Sequence, residues 1–243
     1  MYKQSGNAYF QAGVTGFQKA ADELGFTLVH DGPEEGSNDG QIRIIQNYID
    51  QGVDALCVAA NDPDGLVDVL NTARDAGIKV LSWDAEVSYE GRDLDVEPSS
   101  AENIGLTLLK SISDSVGGEG QIGIVSAVAT APNQNLWIKY IQEHAANDAE
   151  FANIELLDPV YGDDEYQKSY DVCNALLNQY PDLKGIIVPT TNGAPAVSKC
   201  VEDAGKGGQI KVTGLTLASD MAEYIKDGTC DETFLWNPIE LGY

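Results

Sequence analysis

Short apolar runs alternate along this chain with amphipathic stretches of helical length, and this alternation constrains the fold more than any other feature. Several runs are apolar at consecutive positions, which is typical of parallel strands covered on both faces. Strict alternation of strand and helix predicts an open, doubly wound α/β fold with right-handed crossovers. The predicted strands are Thr27–His30, Ala55–Ala59, Lys79–Trp83, Leu94–Val96, Gln121–Ser126, Ile154–Val160, Gly185–Pro189, Lys211–Leu215 and Thr233–Trp236.

The amphipathic stretches carry the start and stop signals of helices. Gly25, Gly77 and Gly205 each follow such a stretch at the position where a left-handed residue ends a helix. Asn61–Asp64 supplies a capping side chain and a first-turn proline ahead of the third helix. The predicted helices are Ala8–Leu24, Asn38–Gln51, Asp64–Ala76, Ala101–Val116, Asn133–Asn147, Glu165–Tyr180, Ala194–Ala204 and Ser219–Asp227.

Each half of the chain holds several strand–helix units, which indicates two similar lobes. We expect a first lobe over residues 1–97, to which residues 236–243 return, and a second over residues 98–235. A doubly wound lobe normally begins with a strand, whereas this sequence opens on a polar loop and ends at Leu241–Tyr243, where a helix starts. We therefore expect the natural protein to extend beyond both ends.

The charge balance excludes several kinds of partner. Lys and Arg number 14 against 39 Asp and Glu, which gives a net charge of −25. Nucleic acids and anionic lipid surfaces both require a positive patch, so neither is an expected partner. The mean hydropathy is −0.21, and no apolar run approaches the roughly 20 residues of a membrane span.

Cysteine and histidine usage argues against a metal site. The four cysteines (Cys57, Cys173, Cys200 and Cys230) are scattered, with no CxxC or Cys/His spacing typical of zinc. The sequence leaves open whether Cys173, Cys200 and Cys230 form disulfides. Only two histidines are present, so a His-based metal or acid–base centre is not expected.

The motifs of cofactor-dependent and hydrolytic enzymes are missing or misplaced. Gly118–Gly123 matches GxGxxG as text, but it ends a predicted helix and leads into a strand, whereas a dinucleotide site needs the reverse order. The chain has no GxxxxGK[ST] loop and no GxSxG elbow. The sequence therefore predicts neither an enzyme nor a cofactor site.

Polar side chains follow several predicted strands at the edge where an open α/β sheet places its ligands. Asp84, Pro189–Asn192 and Thr216 each come directly after a strand, and Asn133 and Gln134 follow another after a short loop. Taken singly, each could equally be a turn or a helix cap. Together they bring carboxylate, amide and hydroxyl groups to one edge, a mixture that suits a neutral polyol.

Aromatic residues accompany these polar groups. Tyr9 and Phe10 lie at the start of the first helix, and Trp83 and Trp236 lie at strand ends. Apolar sugar faces stack on aromatic rings, so this arrangement favours a sugar ligand. Alternatively, these rings belong to the hydrophobic core, and for Phe10 the two interpretations are equally supported.

Several segments together resemble a known family. Gly52–Ala55, Asn61–Asp64, Ala73–Val80 and Trp83–Asp84 resemble the type I periplasmic sugar-binding proteins of ABC importers. The segments that resemble its autoinducer-2-binding and rhamnose-binding branch are Tyr161–Asp164, Tyr180–Ile187 and Leu235–Pro238. The resemblance covers essentially the whole chain. It implies two Rossmann-like lobes joined by a hinge, with the ligand in the cleft between them.

The resemblance also implies particular ligand contacts in the first lobe. Lys3 matches a lysine that follows the first strand in the autoinducer-2 proteins. Asn7, Tyr9 and Phe10 lie where the sugar binders present an asparagine and stacking aromatics. Asp84 matches the aspartate that ends the fourth strand and grips two hydroxyls. Trp236 is the remaining aromatic candidate.

In the second lobe the sequence departs from the family pattern. Asn133 and Gln134 fall where autoinducer-2 binders have Asp-Gln, and Pro189 and Thr191 match a Pro-x-Ala triplet whose alanine has become threonine. Thr216 stands where ribose binders have an aspartate, which argues against ribose. An unpaired buried polar group weakens binding by about 1–3 kcal/mol, enough to switch ligand among similar sugars. Deoxyhexoses or a related pentose derivative therefore compete with autoinducer-2.

The predicted function is that of a non-enzymatic, monomeric solute receptor that delivers a small sugar or autoinducer-2 to an ABC importer permease. We expect it outside the cytoplasm, with a secretion signal in the precursor and, in the Gram-positive habit, a lipid anchor at the cell surface. The alternative is the ligand-sensing core of a sugar-responsive transcription repressor, which shares the fold.

Overall fold

The computed structural model describes residues 1–243 and contains nine α-helices and nine β-strands. In chain order these are α1 (Ala8–Leu24), α2 (Asn38–Gln51), β1 (Ala55–Val58), α3 (Val67–Asp75), β2 (Lys79–Trp83), β3 (Leu94–Val96), α4 (Ala101–Val116), β4 (Gly120–Ser126), α5 (Pro132–Asn147), β5 (Ile154–Leu156), β6 (Val160–Tyr161), α6 (Tyr166–Gln179), β7 (Leu183–Val188), α7 (Gly193–Asp203), β8 (Lys211–Leu215), α8 (Ala218–Asp227), β9 (Thr233–Phe234) and α9 (Pro238–Gly242).

The chain forms two compact units. The first contains residues 1–98, 130–133 and 236–243, and the second contains residues 99–129 and 134–235. The segment 130–133, which carries Asn133, therefore lies with the first unit, whereas the sequence-based division places it in the second.

The first unit is built on a parallel sheet in the order β1-β2-β3. Its core lies where α2 and α3 cover β1 and β2, and Ile45, Leu70 and Val80 are fully buried there. Helix α1 begins at Asn7, whose side chain accepts a hydrogen bond from the Tyr9 amide at 3.0 Å, and it ends at Gly25 with φ 78°. Both ends thus follow from local capping chemistry.

Glycines allow helices α1 and α9 to approach each other closely. A Cβ on Gly16 would lie 2.0 Å from the carbonyl oxygen of Ile239, and one on Gly242 would lie 2.1 Å from that of Gly13. These backbones touch because neither surface carries a side chain at the crossing. The approach fixes residues 236–243 against α1.

The second unit contains a parallel sheet in the order β5-β4-β7-β8-β9, and β6 pairs with the far end of β4. The central strands are apolar at consecutive positions, and Ile124, Ile186 and Ile187 are fully buried, as expected for strands covered on both faces. Helix α4 ends at Gly117, and the GxGxxG-like segment that follows it leads into β4, as predicted.

Three predicted elements differ from the structure. Thr27–His30 is not a strand, because it has no backbone hydrogen bond to a neighbouring strand, and Val29 is 48% exposed. The run Ile154–Val160 is interrupted, so that β5 and β6 pair with successive parts of β4. Helix α3 begins at Val67 rather than at Asp64, because Asp62 accepts hydrogen bonds from the amides of residues 64 and 65 and closes a turn instead.

Candidate functional site

A buried carboxylate lies at the carboxyl end of β2 in the first unit. Asp84 is 3% exposed and adopts φ 65°, a left-handed conformation that directs the chain away from the strand. The hydroxyl of Tyr9 donates a short hydrogen bond to Asp84 Oδ1, and the indole Nε1 of Trp236 donates to the Tyr9 hydroxyl at 2.5 Å. The first turn of α1 and the start of the returning segment thus meet at the end of β2.

Burial controls the protonation of this pair. It raises the pKa of the Asp84 carboxyl, while the nearby charge of Lys3 and the hydrogen bond from Tyr9 act in the opposite direction. Burial, followed by the charge of Asp84, also raises the pKa of Tyr9. Tyr9 therefore keeps its proton and remains a donor, whereas ionised Asp84 can accept hydrogen bonds from ligand hydroxyls.

Lys3 and Asn133 extend this polar group. The Lys3 ammonium donates to Asn133 Oδ1 at 2.7 Å, and Asn133 Nδ2 donates to the backbone carbonyl of Asp84 at 3.3 Å. All three side chains are at least nine-tenths buried. The segment 130–133 thus contributes an amide to the first unit, and that amide connects the ammonium to the residue that carries the carboxylate.

The other predicted residues of this unit have different surroundings. Asn7 is buried and caps α1 through its Oδ1. Phe10 is 4% exposed, stacks on Tyr2 with ring centroids 5.9 Å apart, and meets the edges of Tyr9 and Trp83. The ring of Phe10 therefore belongs to an aromatic cluster that supports Tyr9. Trp236 is only half-buried and is the more accessible ring.

Sequence reasoning missed the buried amides that hold Lys3. The fully buried Gln41 donates to the carbonyls of Tyr2 and Ala59 and accepts from the amide of Asn61 at 2.8 Å. Asn61 Nδ2 in turn donates to the backbone carbonyl of Lys3 at 2.9 Å. The only available signal was a glutamine on the buried face of the amphipathic helix α2.

We expect Gln41→Leu to destabilise the protein by at least about 2 kcal/mol, because it leaves two buried carbonyls and one amide without a partner. Urea unfolding measures this change. The matched control is Gln46→Leu, which removes an exposed amide from the same helix. Equal stability of the two variants would contradict the role given to Gln41.

The remaining predicted residues lie together in the second unit, near the carboxyl ends of β7 and β8. Gln134 Nε2 donates to the Pro189 carbonyl at 3.4 Å, and the Thr216 hydroxyl donates to the Thr191 carbonyl at 2.8 Å. Both contacts fix the loop that follows β7. The structure thus contains one cluster of polar side chains in each unit. That both clusters bind the same ligand stays a prediction.

No group of three or more His, Cys, Asp or Glu side chains is placed to hold a metal ion, and all four cysteines are free thiols. No helix combines the length and the apolar character that crossing a membrane requires.

Comparison with known proteins identifies the family. The whole chain, residues 1–243, matches the periplasmic binding protein domain. The chain belongs to the periplasmic binding protein family. It is 32% identical over 242 residues to the D-ribose/D-allose-binding protein of Pseudomonas aeruginosa, an alignment that covers 93% of this chain and 72% of that protein.

Solved structures of the family share its fold. An ABC transporter solute-binding protein from Clostridium phytofermentas with bound L-rhamnose is 38% identical, with a TM-score of 0.96, over 99% of this chain and 76% of that one. A sugar ABC transporter protein from Actinomyces odontolyticus is 37% identical, with a TM-score of 0.73, over 100% and 78%. LsrB from Clostridium saccharobutylicum in complex with AI-2 is 24% identical, with a TM-score of 0.93, over 99% and 77%, and shows the fold alone.

These relatives test the predictions of fold, family and protein class. The type I periplasmic binding protein fold and the resemblance to the sugar-binding proteins of ABC importers are confirmed. The relatives are solute-binding proteins, so the prediction of a non-enzymatic protein is confirmed as well. The ligand itself stays a prediction.

Proposed function

We propose that this protein is the extracytoplasmic receptor of an ABC importer and that it binds a small neutral sugar. The observation that carries the proposal is the buried Asp84 carboxylate at the end of β2, held by the Tyr9 hydroxyl and backed by Lys3 and Asn133. A buried carboxylate next to amide and ammonium donors suits a ligand whose hydroxyls both donate and accept hydrogen bonds.

Among sugars, L-rhamnose or another deoxyhexose is the proposed ligand. The relative with bound L-rhamnose is 38% identical to this chain. Asn133 offers both a donor and an acceptor, unlike the aspartate that the resemblance to autoinducer-2 binders leads one to expect. Autoinducer-2 is the second candidate, and the LsrB likeness supports only the fold for it. The repressor alternative gains no support from these relatives.

The proposed mechanism uses contributions from both units. The first would provide Lys3, Asp84 and Tyr9, and the second would provide Gln134 and Thr191. A ligand that binds both groups has a higher affinity for the closed conformation, and this differential affinity drives closure by hinge bending. The closed form would then be the one that the importer permease recognises.

A thermal-shift panel tests the proposed ligand class. L-rhamnose, other deoxyhexoses, pentoses and autoinducer-2 are added to protein that has been freed of ligand by unfolding and refolding. A ligand at about 100 times its Kd stabilises the folded state by about 2.7 kcal/mol, which raises Tm by several degrees. We expect the largest rise with a deoxyhexose, and an unchanged Tm across the whole panel would refute the proposal.

We expect the sugar affinity to fall as the pH is lowered from neutrality. Burial raises the pKa of Asp84 above its ordinary value, so this carboxyl gains a proton at a higher pH than an exposed aspartate and loses an acceptor for ligand hydroxyls. Titrations at a series of pH values measure the effect. The Asp84→Asn variant should bind weakly and lose this fall in affinity at acid pH, and a wild-type affinity that is constant down to about pH 4, the ordinary range of aspartate, would contradict the assignment.

A further inference from the structure

A turn with two left-handed residues lies beside the loop that carries Pro189 and Thr191. Asp163 and Asp164 have φ values of 56° and 53°, and the Glu165 amide donates to the Gly162 carbonyl at 2.9 Å. Two successive positive φ values across such a hydrogen bond are typical of a type I′ turn, whose central positions favour glycine, asparagine and aspartate. Here both positions are aspartate, whose side chains are also able to form hydrogen bonds with neighbouring segments.

The two aspartates have different contacts. The Asp163 carboxylate pairs with Lys168 on the next helix, where both side chains are partly exposed. Asp164 instead faces the neighbouring loop. Its Oδ1 accepts from the Asn192 backbone amide at 2.8 Å, and Asn192 Nδ2 donates to the Asp164 carbonyl at 2.9 Å. This reciprocal pair ties the turn after β6 to the loop after β7.

This pair of hydrogen bonds between Asp164 and Asn192 is the third contact that holds the Pro189–Asn192 loop. Gln134 donates to the Pro189 carbonyl and Thr216 donates to the Thr191 carbonyl, as described above. Asp164 fixes the next residue, Asn192. The loop geometry that exposes Thr191 thus depends on one hydrogen-bonding side chain from each of three different segments.

We propose that Asp164 is a positioning residue of the sugar site, which holds the Pro189–Asn192 loop in the conformation that binds ligand. This inference rests on the proposed function. The turn can be formed without a carboxylate, because glycine adopts positive φ without strain. Aspartate at this position adds what glycine lacks, a carboxylate that accepts a hydrogen bond from the Asn192 amide.

The test uses substitutions that distinguish the backbone conformation of the turn from the hydrogen bond between Asp164 and Asn192. Asp164→Gly keeps the turn and removes the acceptor, so we expect Tm to stay within a few degrees of wild type while L-rhamnose affinity falls about ten- to hundredfold. Asp164→Asn tolerates positive φ and still presents an oxygen to the Asn192 amide, so its affinity should stay within about threefold. Asp163→Gly is the matched control and should bind like wild type.

Three results would overturn the inference, two from sugar affinity and one from hydrogen exchange. Wild-type affinity in Asp164→Gly would show that the tie is unnecessary, and an Asp164→Asn variant as weak as Asp164→Gly would show that the negative charge acts, rather than the acceptor. Hydrogen exchange at the Asn192 amide provides a readout that needs no ligand and should accelerate only in Asp164→Gly. If wild-type protein binds no sugar, the proposed function fails, whereas unchanged exchange in Asp164→Gly refutes the tie itself.

Discussion

Replacing Asp84 with alanine is expected to abolish measurable sugar binding while the protein stays folded. Asp84 is the buried carboxylate of the first unit, and a hydrogen bond to a charged group contributes about 1.5–3 kcal/mol. The family resemblance implies that Asp84 accepts from two ligand hydroxyls, so its loss should weaken binding by at least about a hundredfold. Isothermal titration of the variant with L-rhamnose measures the loss.

Two further variants make this prediction specific. Asp84→Asn keeps the shape and the tolerance of φ 65°, so it tests the carboxylate without backbone strain. It also removes a buried charge, and we expect its apo form to be at least as stable as wild type. Asp75→Ala removes an exposed carboxylate of the same unit and should bind normally. An unchanged affinity in Asp84→Ala would refute the site.

Gly16→Val is expected to produce the largest loss of stability in the first unit. A Cβ at this position would lie 2.0 Å from the Ile239 carbonyl oxygen and 2.8 Å from the Tyr243 amide, and both are backbone atoms that cannot rotate away. Forcing atoms into a packed contact costs about 1–3 kcal/mol, so Tm should fall by roughly 2–12 °C. The displaced segment also carries Trp236, whose indole bonds to Tyr9.

Thermal unfolding and sugar titration together test this prediction. Thr15→Val is the matched control, because Thr15 is exposed, lies next to Gly16 on α1 and already carries a β-branched side chain. We expect Gly16→Val to lose both stability and affinity, since Trp236 can no longer support Tyr9. A Gly16→Val variant that matches Thr15→Val in both measurements would show that the contact between α1 and α9 has no structural importance.

Local signals in the sequence were sufficient for much of the fold. The bounds of α1, α2 and α4 agree with prediction because each combines an amphipathic pattern with a capping side chain and a terminal glycine. Thr27–His30 has the composition of a strand, but a strand also requires a hydrogen-bonded neighbour, which local composition does not report. Helix α3 starts late because Asp62 competes for the backbone amides that follow it.

In the candidate site, too, the residues that local sequence signals identify differ from those whose roles depend on distant partners. Asp84 could be predicted because ligands of an open α/β sheet lie beyond the carboxyl ends of strands. Gln41 and Asp164 could not, because their roles depend on partners at residues 61 and 192, distant in the sequence. The identity of the sugar depends on the joint hydrogen-bond pattern of all these groups, which no single motif encodes.

The most direct test of sugar binding is calorimetric titration of refolded, ligand-free protein with L-rhamnose, followed by other deoxyhexoses, pentoses and autoinducer-2. We expect saturable, one-to-one binding of a deoxyhexose with a Kd below about 10 µM. The absence of binding heat with every member of the panel at millimolar concentration would contradict the assignment of this protein as a sugar receptor.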